Sequence, residues 1–125
     1  MAQQNPLLGT WRVESFERWT VDGTLTQPLG APPAGYAVFD ASGLAFIQLG
    51  RATTTDLSAK DIAQSLMAYF GPYAIDGDAL TVTVEASNMA AYIGSKQVRR
   101  FTRDGYNLTL GVEGQYRARL RRVTD

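Results

Sequence analysis

Residues 76–85, DGDALTVTVE, contain the pattern that decides the fold. Asp76-Gly77-Asp78 is a tight-turn signal, because glycine supplies the positive φ angle that a short hairpin requires. In residues 80–85 apolar and polar side chains alternate, which is typical of a strand with one apolar and one polar face. The segment therefore predicts a hairpin whose second strand covers a core.

Equivalent turn signals recur along the chain, at Asp22-Gly23, Ala41-Ser42-Gly43 and Asp104-Gly105. They separate stretches rich in β-branched and aromatic residues, which favour strands. Strands are predicted at residues 8–20, 24–27, 35–40, 44–51, 72–75, 79–86, 96–103, 106–111 and 115–123.

Most of the connections between these strands are too short for a parallel crossover, so the sheet is expected to be antiparallel. A meander of about eight or nine strands most simply removes its edges by closing into an up-and-down barrel. The prediction is an all-β domain covering residues 1–125. The interior of such a small barrel is either filled by side chains or holds one small ligand.

One segment, residues 56–70, breaks the strand pattern. Its apolar residues recur at helical spacing, and Ser58 with Asp61 resembles a capping box. We predict one amphipathic helix there, ending at Gly71-Pro72. It either plugs one end of the barrel, which we favour, or lies against the outside.

The composition excludes several kinds of chemistry. Twelve Lys and Arg balance twelve Asp and Glu, and the chain has neither histidine nor cysteine. Thiolate nucleophiles, Ser-His mechanisms and sites built from Cys or His ligands are therefore excluded. Any catalysis would depend on Asp, Glu, Tyr, Lys or Arg, and we expect no cofactor and no metal.

The charge balance and the N-terminus also limit the expected partners and compartment. Seven of the arginines follow position 98, but the net charge is zero, so we expect no nucleic acid and no membrane as partner. The N-terminal residues lack the basic region of a signal peptide, and no apolar run is long enough to span a membrane. A cytoplasmic protein is the expectation.

Gly9-Thr10-Trp11 opens the first long strand, where glycine permits a close approach and Trp closes one end of the barrel. An Arg of the last strand can stack on the indole. Arg122 has the same parity as Tyr116, Ala118 and Leu120, and we assign it that structural contact.

A second group consists of Glu85, Gln97 and Arg99. Arg99 has the same parity as Gln97 and Phe101, which predicts that it points inward. An inward charge needs a partner, and Glu85 could supply it. The alternative is an ordinary ion pair on the outer surface of the sheet.

A third group is aromatic or amide in character. It comprises Tyr36, Phe39, Phe46, Gln48, Tyr69, Tyr73 and Tyr92. Any one of these aromatics is more often plain core, but together they suit a partly filled, ligand-binding interior.

A series of motifs runs through almost the whole chain. They are residues 9–16 (GTWRVESF), 33–36 (PAGY), 68–73 (AYFGPY) with the turn at 76–78, and 84–87 (VEAS) through 92–94 (YIG) to 97–99 (QVR). In order and spacing they resemble the bacterial and fungal lipocalin-like domain family. The resemblance implies a closed lipocalin-like barrel, often encoded near genes of secondary metabolism. Members often carry a histidine where this chain has Val82 or Thr83, and a Trp near the position of Tyr92, so chemistry based on that histidine is not expected here.

Three functions follow as hypotheses. In the first, the barrel interior binds a small, largely apolar or amphiphilic molecule, and Arg99, Gln48 and a tyrosine fix its polar end. The ligand-binding residues of this hypothesis are Tyr36, Phe46, Gln48, Tyr69, Tyr92 and Gln97. In the second, the protein is a cofactor-free cyclase or isomerase, with Glu85 as base and Tyr36 or Tyr73 with Arg99 stabilising negative charge. In the third, the outer face or the helix forms a homodimer.

Overall fold

The computed structural model describes residues 5–124. In chain order they form β1 (Gly9–Trp19), β2 (Leu25–Thr26), β3 (Pro33–Phe39), β4 (Leu44–Arg51), α1 (Ala59–Ser65), β5 (Met67–Asp76), β6 (Ala79–Thr83), β7 (Ala86–Ser87), a 3-10 turn (Ala90–Tyr92), β8 (Lys96–Asp104), β9 (Asn107–Val112) and β10 (Tyr116–Arg122).

Eight of the strands form a closed antiparallel barrel, which confirms the predicted fold class. Neighbours along the barrel are β1, β3, β4, β5, β6, β8, β9 and β10, and β10 pairs with β1 to close it. The short strands β2 and β7 pair with β1 and β5, outside this circuit. All nine predicted strands are present, and β7 is an addition.

The burial of residues 80–85 follows the predicted alternation. Leu80, Val82 and Val84 are buried, whereas Thr83 and Glu85 are exposed. The predicted strand over 79–86 is nevertheless interrupted after Thr83, opposite Gly71. A Cβ at Gly71 would collide with the carbonyl oxygen of Thr83, so only glycine allows the two backbones to approach so closely.

The helix is shorter than predicted. Ser58 caps it by accepting a hydrogen bond from the backbone N–H of Asp61, at 3.1 Å, as the capping pattern indicated. The prediction over 56–70 is wrong at its C-terminal end, because residues 67–70 pair with β4 as the start of β5. Strand pairing there overrides the helical spacing of the apolar residues.

The plug interpretation of the helix is also wrong. No residue of α1 is buried, and its contacts are mainly with β4. None of its residues borders the interior of the barrel. The helix therefore lies against the outside, the other arrangement that the sequence allowed.

One end of the barrel, the closed end, is sealed by Trp11. Its indole is fully buried, and its Nε1–H donates to Leu7 O at 2.9 Å. The guanidinium carbons of Arg103 and Arg122 lie 5.3 and 5.8 Å from the centre of the Trp11 ring system. Gly9 has φ +126°, and a Cβ there would lie 2.9 Å from Arg122 Nη2. The predicted contact between Arg122 and Trp11 is confirmed.

Candidate functional site

The interior of the barrel is almost filled. Buried side chains leave a cavity of about 30 Å³ between the sheet walls, bordered by Arg99 and Tyr116 on the side away from Trp11. This is room for about one water molecule, far below the roughly 300–1,000 Å³ of typical ligand pockets. The expectation of a ligand held in a preformed interior therefore needs correction.

A larger depression, here called the mouth cleft, opens at the end of the barrel opposite Trp11. Its volume is about 490 Å³, within the range of small-molecule sites. The lining comes from the end of β1, the 3-10 turn, the start of β8 and the β9–β10 turn, and comprises Arg18, Trp19, Thr20, Val21, Tyr92, Gln97, Arg99, Val112, Gly114, Gln115 and Tyr116. Arg99 and Tyr116 border both the cleft and the interior cavity, so they separate the two.

Arg99 is the buried charged residue of the described chain, with a relative exposure of 7%. Its Nη1 donates to Val98 O at 2.9 Å, and its Nη2 donates to Gln97 Oε1 at 2.8 Å and to Tyr92 Oη at 3.3 Å. The Nε atom is buried without a hydrogen-bond partner. The guanidinium is thus held by neutral acceptors from the 3-10 turn and its own strand.

The positive charge of Arg99 has no ion-pair partner among residues 5–124. The ion pairs found there join Arg100 to Asp78 and Arg117 to Glu17. Arg99 stacks on Tyr116 instead, with its guanidinium carbon 5.0 Å from the ring centre. Such stacking contributes about 0.5–2 kcal/mol, whereas withdrawing a charge from water costs several kcal/mol. The local contacts therefore leave the charge incompletely compensated.

Tyr69 and Tyr92 form a pair beside Arg99. Their rings meet edge to face, with centroids 5.4 Å apart at 69°. Burial raises the pKa of the Tyr69 hydroxyl, and the positive charge of Arg99 opposes that rise. Tyr69 is therefore a neutral phenol at physiological pH, and its hydroxyl adds no negative charge to balance Arg99.

The structure brings four of the predicted site residues together: Arg99, Gln97, Tyr92 and Tyr69. Arg99 points inward, as its parity with Gln97 and Phe101 predicted. Glu85 is not its partner, because the Glu85 side chain is exposed and borders neither the interior cavity nor the mouth cleft. The predicted Glu85–Arg99 pair is wrong.

Three other predicted residues lie on the outer face of the barrel. Tyr36 and Phe46 are 45% and 38% exposed, and Gln48 is exposed opposite Tyr36. Their assignment to the interior is wrong for a simple reason. Phe39 is buried, and alternation along β3 then directs Tyr36 to the other face.

Tyr73 lies near the closed end, away from Arg99. Its hydroxyl donates to Asp40 O at 3.0 Å and accepts from Asn5 Nδ2 at 2.5 Å. The ring packs edge to face against Phe39, with centroids 5.3 Å apart. Tyr73 therefore fixes the β3–β4 turn and does not share a site with Arg99.

Sequence reasoning missed Arg18, Trp19, Val112 and Tyr116 as cleft residues. Tyr116 has the same parity as the buried Ala118 and Leu120, so the pattern of β10 could have placed it inside. The other three lie where strands end, and their direction depends on the local turn geometry.

A second depression, of about 550 Å³, lies on the outer side of Trp19 along β8, β9 and β10. Its arginines, Arg100 and Arg117, are the two that form ion pairs. Arg117 also stacks on Trp19, at 5.3 Å from the ring centre. Both arginines of this depression therefore have a carboxylate partner, unlike Arg99.

Two other features are absent from the described residues. Across positions 5–124, no three acidic side chains cluster as metal ligands would. No helix in that range has the length and apolarity needed to cross a membrane.

Comparison with known proteins agrees with the architecture. A crystal structure of a lipocalin-like protein from Bacteroides uniformis ATCC 8492 has a TM-score of 0.57 at 19% identity, covering 95% of this chain and 100% of that chain. An uncharacterized protein from Bacteroides eggerthii DSM 20697 has a TM-score of 0.56 at 14% identity, covering 94% and 99%. At these identities the likeness shows the fold alone.

The sequence comparison assigns the family. No functionally curated protein matches the sequence. The family model of the lipocalin-like domain, however, matches residues 8–121, almost the whole chain. The chain therefore belongs to the lipocalin-like domain family.

Proposed function

We propose that the protein binds a small amphiphilic molecule in the mouth cleft. The observation that carries the proposal is the buried Arg99, a residue without an ion-pair partner among the described residues that lines a cleft large enough for a ligand. Ligand sites in small barrels commonly lie at the mouth and combine apolar walls with a few polar groups.

The walls of the mouth cleft have this mixed character. Trp19, Val112 and Tyr116 offer apolar surface, and Tyr92 and Gln97 add polar groups close to Arg99. A ligand seated here would cover Arg99 with its polar end. Its apolar part would lie between the end of β1 and the β9–β10 turn.

In this proposal the ligand occupies the mouth cleft and not the barrel interior, where the sequence predicted it. Because the cavity behind Arg99 and Tyr116 holds only about 30 Å³, a ligand would bind above this pair and not beneath it. Deeper binding would require the Tyr116 ring to move.

The geometry gives no support to a cyclase or isomerase built on Glu85. That mechanism needs a carboxylate base facing Arg99 across a common space. The described residues that line the mouth cleft include no carboxylate. Of the two tyrosines considered for stabilising negative charge, Tyr73 lies near the closed end and Tyr36 lies on the outer face.

A matched pair of valines tests the binding proposal. Val112 lines the mouth cleft and also borders the second depression, Thr109 lines the second depression and not the cleft, and Val98 is 51% exposed on the barrel exterior. Val112→Trp should fill the cleft and weaken binding of the uncharged dye Nile red at least tenfold. Val98→Trp and Thr109→Trp should bind the dye as the wild type does. Fluorescence titration measures the affinities, and circular dichroism confirms that each variant is folded.

The proposal fails on either of two results. One is the absence of saturable Nile red binding to the wild type. The other is equal affinity of the wild type and folded Val112→Trp, which would place the dye elsewhere. Native mass spectrometry of protein purified from its own host would then identify any molecule that occupies the cleft.

A further inference from the structure

The hydrogen bonds of Arg99 define what its ligand must supply. The acceptors of its hydrogen bonds, Val98 O, Gln97 Oε1 and Tyr92 Oη, are neutral, and so is the Tyr69 hydroxyl, on which Arg99 also acts through a side-chain hydrogen bond. Its Nε–H is buried without an acceptor. A guanidinium has five N–H donors and no acceptor, so only an acceptor group can complete this shell, and an anionic one also matches the charge.

The cleft beside Arg99 is electrostatically prepared for an anion. Arg18 lines the same space, with its guanidinium carbon 5.8 Å from the centre of the Phe16 ring. No Asp or Glu is among the described residues that line it, whereas the outer depression contains Asp78 and Glu113. Arg18 and Arg99 are thus the charged side chains of this lining, which favours an anion over a cation in the cleft.

The groups around Arg99 also select the form of the anion. Three of the five N–H groups of Arg99 are bonded and its Nε–H is buried, so the second N–H of Nη1 is the donor left for a ligand, and a carboxylate is a small planar group that accepts such a charge-assisted bond. The neighbouring surface of Trp19 and Val112 is apolar and lies in the same cleft. An anion without an apolar part would leave that surface in water.

We propose that the ligand is an amphiphilic carboxylate, with its carboxylate on Arg99 and its apolar chain against Trp19 and Val112. This inference rests on the proposed binding function, and it adds the chemical class of the ligand. Decanoate and decan-1-ol are a suitable pair of probes, because they share an apolar chain and differ in charge. Acetate is the control for a carboxylate without a chain.

Displacement of Nile red measures the three affinities. The wild type should bind decanoate at least tenfold more tightly than decan-1-ol and should not be displaced by acetate at the same concentration. Arg99→Met should bind the two chains within twofold of each other. Arg99→Lys, which keeps the charge without the planar fork, should show a reduced preference for decanoate.

Arg100→Met is the matched control, since Arg100 is adjacent, exposed and paired with Asp78 at 2.5 Å. It should retain the full preference for decanoate. Equal binding of decanoate and decan-1-ol by the wild type would overturn the carboxylate assignment, as would a preference that persists in folded Arg99→Met. Displacement by acetate would overturn the requirement for a chain. In each of these outcomes Nile red still binds the cleft, so the proposed function would stand.

Discussion

At each end of the barrel arginine stacks on an aromatic ring, but the more deeply buried group differs. It is the ring at the closed end and the arginine at the mouth. At the closed end the Trp11 ring is fully buried, and Arg103 and Arg122 cover it from the side of the solvent. At the mouth Arg99 is buried, and the half-buried Tyr116 ring packs against it.

This reversal separates a structural contact from a binding contact. Arg103 is exposed and donates to Pro6 O and Gly105 O at 2.7 and 2.9 Å, so its charge remains close to water. The Arg103 guanidinium therefore loses little of its hydration when it stacks on Trp11, and this stack closes the barrel. Arg99 loses its water without gaining a counterion among residues 5–124, which is unfavourable unless a ligand completes the site.

The largest expected effect distinguishes the two tryptophans of the chain. Trp11→Ala should lower the free energy of unfolding by about 3–5 kcal/mol, because it leaves a large cavity in the core. Trp19→Ala, at the half-exposed rim of the mouth, should cost about 1 kcal/mol, mainly through its stack with Arg117. Urea denaturation followed by circular dichroism measures both, and similar losses would contradict the assignment of Trp11 as the seal.

The next largest effect concerns Gly9, whose lack of a side chain leaves room for Arg122 at the closed end. Gly9 and Gly23 both have positive φ, at +126° and +87°, but a Cβ meets Arg122 only at Gly9. Gly9→Ala should lower the free energy of unfolding by about 2–3 kcal/mol and Gly23→Ala by about 1 kcal/mol. The cost of Gly9→Ala should shrink in an Arg122→Ala background, since the two sites are in contact. An unchanged cost would mean that backbone strain alone is responsible.

The closed end was predictable because its signals are local. Glycine, Trp and an arginine of matching parity were sufficient to assign the Arg122–Trp11 contact. Turn motifs and alternation likewise predicted every barrel strand, since a strand's two faces follow directly from its period of two. The overextended helix shows the limit of this reasoning. Residues 67–70 fit a helical spacing, and only their pairing with β4 decides the outcome.

The mouth was predicted in part. Arg99, Gln97, Tyr92 and Tyr69 do meet, because parity and proximity along β8 could be inferred. Assigning Tyr36 and Phe39 both to the interior contradicted alternation, since they lie an odd number of positions apart on β3. The absence of a counterion for Arg99 among the described residues could not be predicted from the sequence. It depends on which side chains of distant strands face Arg99.

Removing the charge of Arg122 should destabilise the protein, whereas removing that of Arg99 should not. Arg99→Met eliminates an uncompensated buried charge, and without ligand it should leave the free energy of unfolding unchanged or raise it by about 1 kcal/mol. Arg122→Met loses a stack on Trp11 and should lower it by about 0.5–1 kcal/mol. Denaturant titration in ligand-free buffer measures the pair. Strong destabilisation by Arg99→Met would show that its bonds to neutral acceptors already suffice.

The smallest expected effect concerns two aspartates in turns, Asp40 at the closed end and Asp22 near the mouth. At the closed end, Asp40 accepts hydrogen bonds from Ser42 Oγ at 2.7 Å and from Leu44 N at 2.9 Å. The side-chain hydrogen bond from Ser42, followed by the backbone hydrogen bond from Leu44, lowers the pKa of the Asp40 carboxyl below its ordinary value. Near the mouth, the pKa of Asp22 is lowered first by the side chain of Thr20.

A lowered folded-state pKa means that each carboxylate stabilises the protein above its unfolded pKa of about 3.9, and that this stability is lost as pH falls through the folded value. At pH 7, Asp40→Asn should lower the melting temperature more than Asp22→Asn, because the β3–β4 turn belongs to the barrel whereas β2 lies outside the closed circuit. Thermal melts of the wild type and both variants from pH 7 to pH 2 test this. The wild-type advantage should remain constant down to about pH 4 and then shrink. If the Asp40 difference persisted at the lowest pH, the lost stability would come from the amide's geometry and not from the charge of the carboxylate.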